Sequence, residues 1–387
     1  GGRCERYEVD ERKSKREDII NLFEKRTEML VGDYNEDDNK GKISIGITRA
    51  LMIFYQQFPF WRTFFKELGF QVVLSKETDH KLVTKSLEIL TAETCFPVEV
   101  IYGHIEDLLD KDVDYIFLPF NVNARASDNN PTANCNCPWI QSHPFMIKSS
   151  LKEQKDKDKL LIPTLHFRYY EKVLVRELSD FMKATFGISA AKTRKAIDLA
   201  GREQEKFEKG LEIKGKEVLN NIPDDVEPVV ILGRPYNTSD PELNLSLVEK
   251  LITHNVLPIP LDFLPLSEVS IFEDYHKMYW PNGQKIIAGS RFIMDNKRLH
   301  AVYLSNFRCG PDSFLLHFIR EEMKGKPYLQ LEVDEHSADA GMITRIEAFL
   351  DSLKGERYVE AEKKKLVKRG TMRASPTKDR VLYFPYM

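Results

Sequence analysis

Along the chain, short apolar runs alternate with longer amphipathic stretches. Residues 42–48 read as a buried strand. Residues 50–68 read as an aromatic-rich helix closed by Gly69, a residue suited to the left-handed position after a helix. Residues 71–75 predict a second strand, 80–90 and 97–110 two helices, and 115–120 a third strand. A polar loop over 121–136, a helix over 139–151 and a strand over 160–165 complete the unit. Strand alternating with helix in this way predicts βαβ crossovers and a mainly parallel sheet. Residues 168–222 carry no strand signal and read as a helical connector. The rhythm then resumes, with strands over 228–232, 256–260, 300–305 and 328–333. Between and after them lie helices over 241–254, 283–296, 313–324 and 338–353.

The pattern predicts an α/β fold of two lobes with mainly parallel sheets, joined by a helical connector. The expected divisions are a charged N-terminal segment at 1–42 with one helix near 19–29, lobe 1 at 43–167, the connector at 168–226 and lobe 2 at 227–354. Residues 355–387 read as a linker and the start of a further strand or domain, with the basic stretch 363–373 as solvated linker. The chain opens on Gly1-Gly2-Arg3-Cys4 and closes on an apolar run, 381–387. Both ends read as the interior of a longer polypeptide.

Composition narrows the classes. The 387 residues carry a net charge of −3, which gives no reason to expect nucleic acid or an anionic membrane as partner. No apolar stretch approaches the ~20 residues needed to span a bilayer. No secretory leader pattern opens the chain, so a cytoplasmic location is the expectation. Five cysteines are too few for a disulfide framework in a chain this long.

Three of those cysteines sit where helices should begin, beside a proline or glycine: Cys95 in Thr94-Cys95-Phe96-Pro97, Cys137 in Asn136-Cys137-Pro138, and Cys309 in Arg308-Cys309-Gly310-Pro311. A sulfur at a helix N-terminus faces unpaired N–H groups and the positive end of the dipole, which favours thiolate. Converging thiolates suit a metal centre, and iron–sulfur clusters are held by such ligands. Zinc is the rival, but Cys135 and Cys137 form only a C-x-C pair, short of the usual zinc spacing. A single nucleophilic cysteine is a further alternative, as is a small buried hydrophobe at each position.

At these residues the chain resembles a known family. Ile45-Gly46-Ile47-Thr48-Arg49-Ala50-Leu51 with Pro59-Phe60-Trp61 is similar to the activase-related region of large acyl-CoA dehydratase activase proteins. So are Glu93-Thr94-Cys95-Phe96-Pro97 with Gly103-His104, and Asn136-Cys137-Pro138 with Gln141. Cys309-Gly310-Pro311-Asp312-Ser313-Phe314 and Glu335-His336-Ser337-Ala338-Asp339-Ala340-Gly341 with Thr344-Arg345 add to it. The resemblance runs over roughly residues 43–353 and reaches the 2-hydroxyacyl-CoA dehydratase D-component and the double-cubane-cluster reductases. It implies Rossmann-like lobes with a [4Fe–4S] cluster between them, held by Cys95, Cys137 and Cys309. It also implies an ATP-dependent activase domain or subunit as electron source, an acyl-CoA or other small substrate, and a place in the anaerobic metabolism of such reductive systems. Three ligands suit one cubane; a double cubane would need thiolates from another domain or chain. Cys135 is an extra, possible iron ligand, and Cys4 resembles the close of a small Cys-rich segment.

Other residues carry weaker signals. His104 and His143 flank cysteine segments and could hydrogen-bond cluster sulfur, or simply cap and pack. Arg234, after a strand in Gly233-Arg234-Pro235, could meet an anionic ligand or form an internal salt bridge. His336 precedes the last helix, where Ser337 or Asp339 should cap. The aromatic run from Phe54 to Phe65 reads as core. No GxGxxG follows a strand and no P-loop is present, so nucleotide binding by this chain is not expected. The alternative function is a non-catalytic scaffold that docks an activase or dehydratase subunit.

Overall fold

The computed structural model describes residues 19–90, 92–125, 134–337 and 339–368. Cys4 and the rest of residues 1–18, the centre of the polar loop and the C-terminal apolar run lie outside the described residues. The chain divides into two compact units, one ending at Asp339 and one spanning Ala340–Met387. The first holds every strand found among the described residues.

Helix α1 (Leu22–Val31) starts at Asn21, whose side chain accepts from the Phe23 and Glu24 N–H groups. Strand β1 (Ser44–Ile47) leads to α2 (Leu51–Tyr55) and α3 (Phe58–Leu68), where the sequence predicts a single helix. Pro59 is the reason. It has no N–H to offer the Tyr55 carbonyl, so the ladder breaks there. That carbonyl instead accepts from the Arg26 guanidinium at 2.8 Å. Then come β2 (Gln71–Leu74), α4 (His80–Ile89), α5 (Phe96–Asp110) and β3 (Tyr115–Phe117). Strand β4 (Phe120–Asn123), α6 (Pro138–Ser150), α7 (Gln154–Asp158), β5 (Leu160–Leu161) and β6 (Thr164–His166) follow.

The expected strands at 115–120 and 160–165 are each split by a proline, Pro119 and Pro163. Proline cannot donate to a ladder, so pairing stops and restarts one step on. The outer halves β4 and β6 pair with each other as a separate two-stranded sheet. The start of the expected polar loop, residues 121–123, is therefore strand.

The connector is helical as expected. Short 3-10 and π turns over residues 167–174 give way to α8 (Val175–Phe186), a left-handed Gly187, and α9 (Ala190–Asn220). Lobe 2 runs β7 (Glu227–Leu232), α10 (Pro235–Thr238), α11 (Leu247–Thr253), β8 (Val256–Pro260), α12 (Pro281–Asp295), β9 (His300–Asn306), α13 (Gly310–Glu322) and β10 (Tyr328–Val333). The helix expected over 241–254 forms only from Leu247, because Leu245 and Ser246 both take positive φ.

Both large sheets are parallel throughout. Their orders are β2-β1-β3-β5 and β10-β9-β7-β8. Counted along the chain, each puts its second strand on one side of the first and its third and fourth on the other. The winding therefore reverses between first and third strands, β1/β3 and β7/β9, and a crevice opens beyond their carboxyl ends. Strands β7 and β9 are buried from their second residue onward, as a sheet covered on both faces requires.

The aromatic run is core: Phe58, Trp61, Phe64 and Phe65 are fully buried, and Trp61 lies 4.5 Å from the Phe117 ring of β3. The lobes are tied by polar contacts. Buried Asp240 accepts from the hydroxyls of Tyr55 (2.8 Å) and Thr78, both in lobe 1. Arg26 pairs with Asp262 at 2.6 Å. Helix α9 lies so close to lobe 2 that a Cβ at Gly215 would sit 1.6 Å from the Phe263 carbonyl oxygen.

In the second unit, helix α14 (Asp339–Lys368) extends past the expected end at 353 and into the basic stretch expected as linker. Among the described residues no helix is long and apolar enough to cross a membrane.

Candidate functional site

Cys95, Cys137 and Cys309 are the N-cap residues of α5, α6 and α13. In each helix a proline occupies one of the first two positions: Pro97, Pro138 and Pro311. Although remote in sequence, the three cysteines line one small pocket together with Trp139, Arg234, Tyr236, Asn237 and Asn306. Lobe 1 contributes Cys95 and Cys137. Lobe 2 contributes the ends of β7 and β9, so the pocket sits at that sheet's switch point. Cys95 is buried, whereas Cys137, Trp139 and Cys309 are half-buried and form the lip. The free space enclosed is about 10 Å³, the size of one water.

The loops before Cys95 and Cys309 are clamped together. Arg308, at positive φ, meets Glu93 at 2.8 Å and Glu335 at 3.1 Å. Beneath the pocket, Arg234 pairs with Asp312 of α13 at 2.7 Å, with both side chains about 95% buried. Arg234 is thus engaged internally. Of the two roles open to it from sequence, the salt bridge is the one formed.

Burial pushes all three thiols up, Cys309 to about 12. At Cys95 the neighbouring sulfurs of Cys309 and Cys137 add to the effect of burial, while Arg234 opposes it. Cys137 Sγ accepts from the Ile140 N–H at 3.4 Å, and Arg234 also favours its thiolate. Neither influence outweighs desolvation. Burial thus works against the thiolate that a helix start favours at each of the three sulfurs.

The other expected residues lie elsewhere. Cys135 is half-buried, its backbone bridges Asn123, and it does not line the pocket. His104 is fully buried, with Nδ1 2.8 Å from Ser75 Oγ and Nε2 3.3 Å from Thr78 Oγ1. His143 is buried with Nδ1 2.8 Å from the Ile140 carbonyl. Neither lines the pocket. His336 is exposed, 3.7 Å from Glu335. Ser337 turns back to Asp334, donating to its Oδ1 at 2.7 Å. Sequence reasoning missed Asn306, Asn237 and Tyr236. Only the position of Asn306 as the last residue of a strand, three before a cysteine, pointed to it.

Among the described residues no group of three His, Cys, Asp or Glu side chains is arranged to hold a metal ion. A single zinc needs all its sulfurs about 2.3 Å away, and that arrangement is not formed. As a donor set, the three thiols fit iron–sulfur ligation, where each sulfur bonds a different iron. The space enclosed in this structure, about 10 Å³, is smaller than a cubane.

Residues 44–264 match the family described as the CoA enzyme activase uncharacterised domain (DUF2229), more than half of the chain. The chain belongs to this family. The part of this CoA enzyme activase domain that matches contains Cys95, Cys137 and Arg234, while Cys309 lies beyond it. No curated protein matches the sequence. A solved structure of the SBP FpvC from P. aeruginosa in complex with Ni2+ aligns over 77% of this chain and 90% of its own. Its identity is 14% and its TM-score 0.24, too low to carry a fold assignment.

Proposed function

We propose that Cys95, Cys137 and Cys309 hold a [4Fe–4S] cluster between the lobes. On this reading the chain serves ATP-driven, low-potential electron transfer in an acyl-CoA dehydratase or reductase system. One observation carries it: cysteines from three separate helix starts, in both lobes, meet on a single pocket. Membership in the CoA enzyme activase family supports the activase-type setting. It also supports a dehydratase as partner, while kinship with the 2-hydroxyacyl-CoA dehydratase D-component and the double-cubane reductases rests on the motif resemblance alone. A bound cluster supplies one-electron redox chemistry at a potential set by its surroundings.

The chain's own residues prepare the place. Arg234, buried and paired with Asp312, offsets part of the negative charge that three thiolates would bring. The free N–H groups at the starts of α5, α6 and α13 do the same. Iron binds thiolate, so loading displaces the protons that the thiols carry, and uptake should strengthen as pH rises.

The test is anaerobic reconstitution with ferrous iron and sulfide. About four irons per chain are expected, with uptake lost in Cys95→Ser, Cys137→Ser and Cys309→Ser and retained in Cys135→Ser. A chain that stays iron-free overturns the reading. The docking-scaffold reading would then stand, since a pocket of about 10 Å³ is what a metal-free interface would show. In that case the serine variants would bind an activase partner as well as the parent does.

A further inference from the structure

Asn306 ends β9 and lines the cysteine pocket at 3% exposure, yet neither its Nδ2 nor its Oδ1 has a hydrogen-bond partner. Asn237, in α10 after the neighbouring strand β7, lines the same pocket at 1% exposure with its Oδ1 unpartnered. Buried carboxamides are almost always paired, so unpaired ones mark a place where a bound group completes the bonding. Sulfide and thiolate sulfur only accept hydrogen bonds, and of the two side-chain edges only an NH2 can donate. Asn306 closes β9 at the carboxyl end of the sheet, where the crevice opens.

We propose that Asn306 donates a hydrogen bond from Nδ2 to a sulfur of the group held by Cys95, Cys137 and Cys309, and so sets its reduction potential. This rests on the cluster reading given above. Reduction adds negative charge to the cluster, and a donor aimed at sulfur stabilises the reduced form, which raises the potential. Asn306 is thus a positioning and tuning residue, distinct from the ligands. Asn237 stands on the opposite side of the switch point as the second polar wall.

The experiment uses the full chain, first iron-free and then reconstituted anaerobically, with the midpoint potential read by EPR-monitored titration. Asn306→Leu should bind as much iron as the parent, and its potential should be lower. The iron-free form of this variant should melt at or above the parent temperature, because an unpaired amide has been removed. A purely structural asparagine would give the opposite, a fall in melting temperature with no shift in potential, and that result overturns the proposal. Should the leucine variant not fold, Asn306→Asp keeps the shape, removes the donor and adds charge, and its potential should fall further. If the parent loads iron and the variants match its potential, this inference alone fails. If the parent takes up no iron, the cluster reading fails with it.

Discussion

His104 and His143 are both buried and both held neutral, because desolvation disfavours the imidazolium; their pKa values fall to about 3 and about 4. In the unfolded chain each returns to about 6.5. Below that pH the unfolded state binds protons that the folded state does not. Stability is therefore complete above pH 6.5 and is lost as pH falls toward 4, by about 1.4 kcal/mol per pH unit for each histidine. Thermal unfolding followed from pH 7 to 4.5 should show this slope, and His104→Gln should remove about one proton's share of it. An unchanged slope in that variant would mean His104 is protonated inside the fold. Burial raises the carboxyls of Asp240 and Glu99, which act in the opposite sense, so the difference between parent and His104→Gln isolates the histidine. None of this was legible in the sequence, which placed His104 and His143 beside cysteine segments. A helical turn separates flanking in sequence from facing in space, and both rings turn toward backbone or hydroxyl groups instead.

Among the elements, the pattern located nearly every strand and helix of both sheets, because parallel strands covered on both faces leave uninterrupted apolar runs. It failed where single prolines override periodicity. Pro59 divides one helix into α2 and α3, and Pro119 and Pro163 cut two strands and build the small third sheet. The three cysteine caps were legible for the same local reason, since proline in the first turn marks a helix start. Asn306 was not, because an amide at a strand end looks like any loop polar residue until its neighbours are known. The connector's approach to lobe 2 was equally hidden. Gly215 looks like a weak spot in a long helix, yet it is what lets α9 touch the Phe263 carbonyl. Gly215→Ala, which favours the helix by about 1 kcal/mol in isolation, should instead destabilise the protein by roughly 1–3 kcal/mol through overpacking. Chemical denaturation decides between the two signs.

Across the whole first unit, two sheets with the same winding are held at one crevice by a few buried polar ties rather than by a continuous strand. Asp240 is the densest of these. Its Oδ2 takes Tyr55 and Thr78 from lobe 1, and its Oδ1 takes the Glu242 and Leu243 N–H groups. Asp240→Ala strands four donors at once. It should cost about 3 kcal/mol or more, since each unpaired buried group costs about 1–3 kcal/mol. Tyr55→Phe removes only one hydroxyl and should cost about 1 kcal/mol. Calorimetry should show the single transition of the parent broadening or dividing in the alanine variant. Equal effects for the two substitutions would show that the lobes are held elsewhere.

The three cysteines at helix starts also fix an order of synthesis. A ribosome makes Cys95 and Cys137 long before the last strands of lobe 2, so a nascent chain carries two lone thiols with nothing to complete them. Only once β9 and α13 have emerged and folded does the third arrive. The pocket they line is complete only in a chain folded through lobe 2.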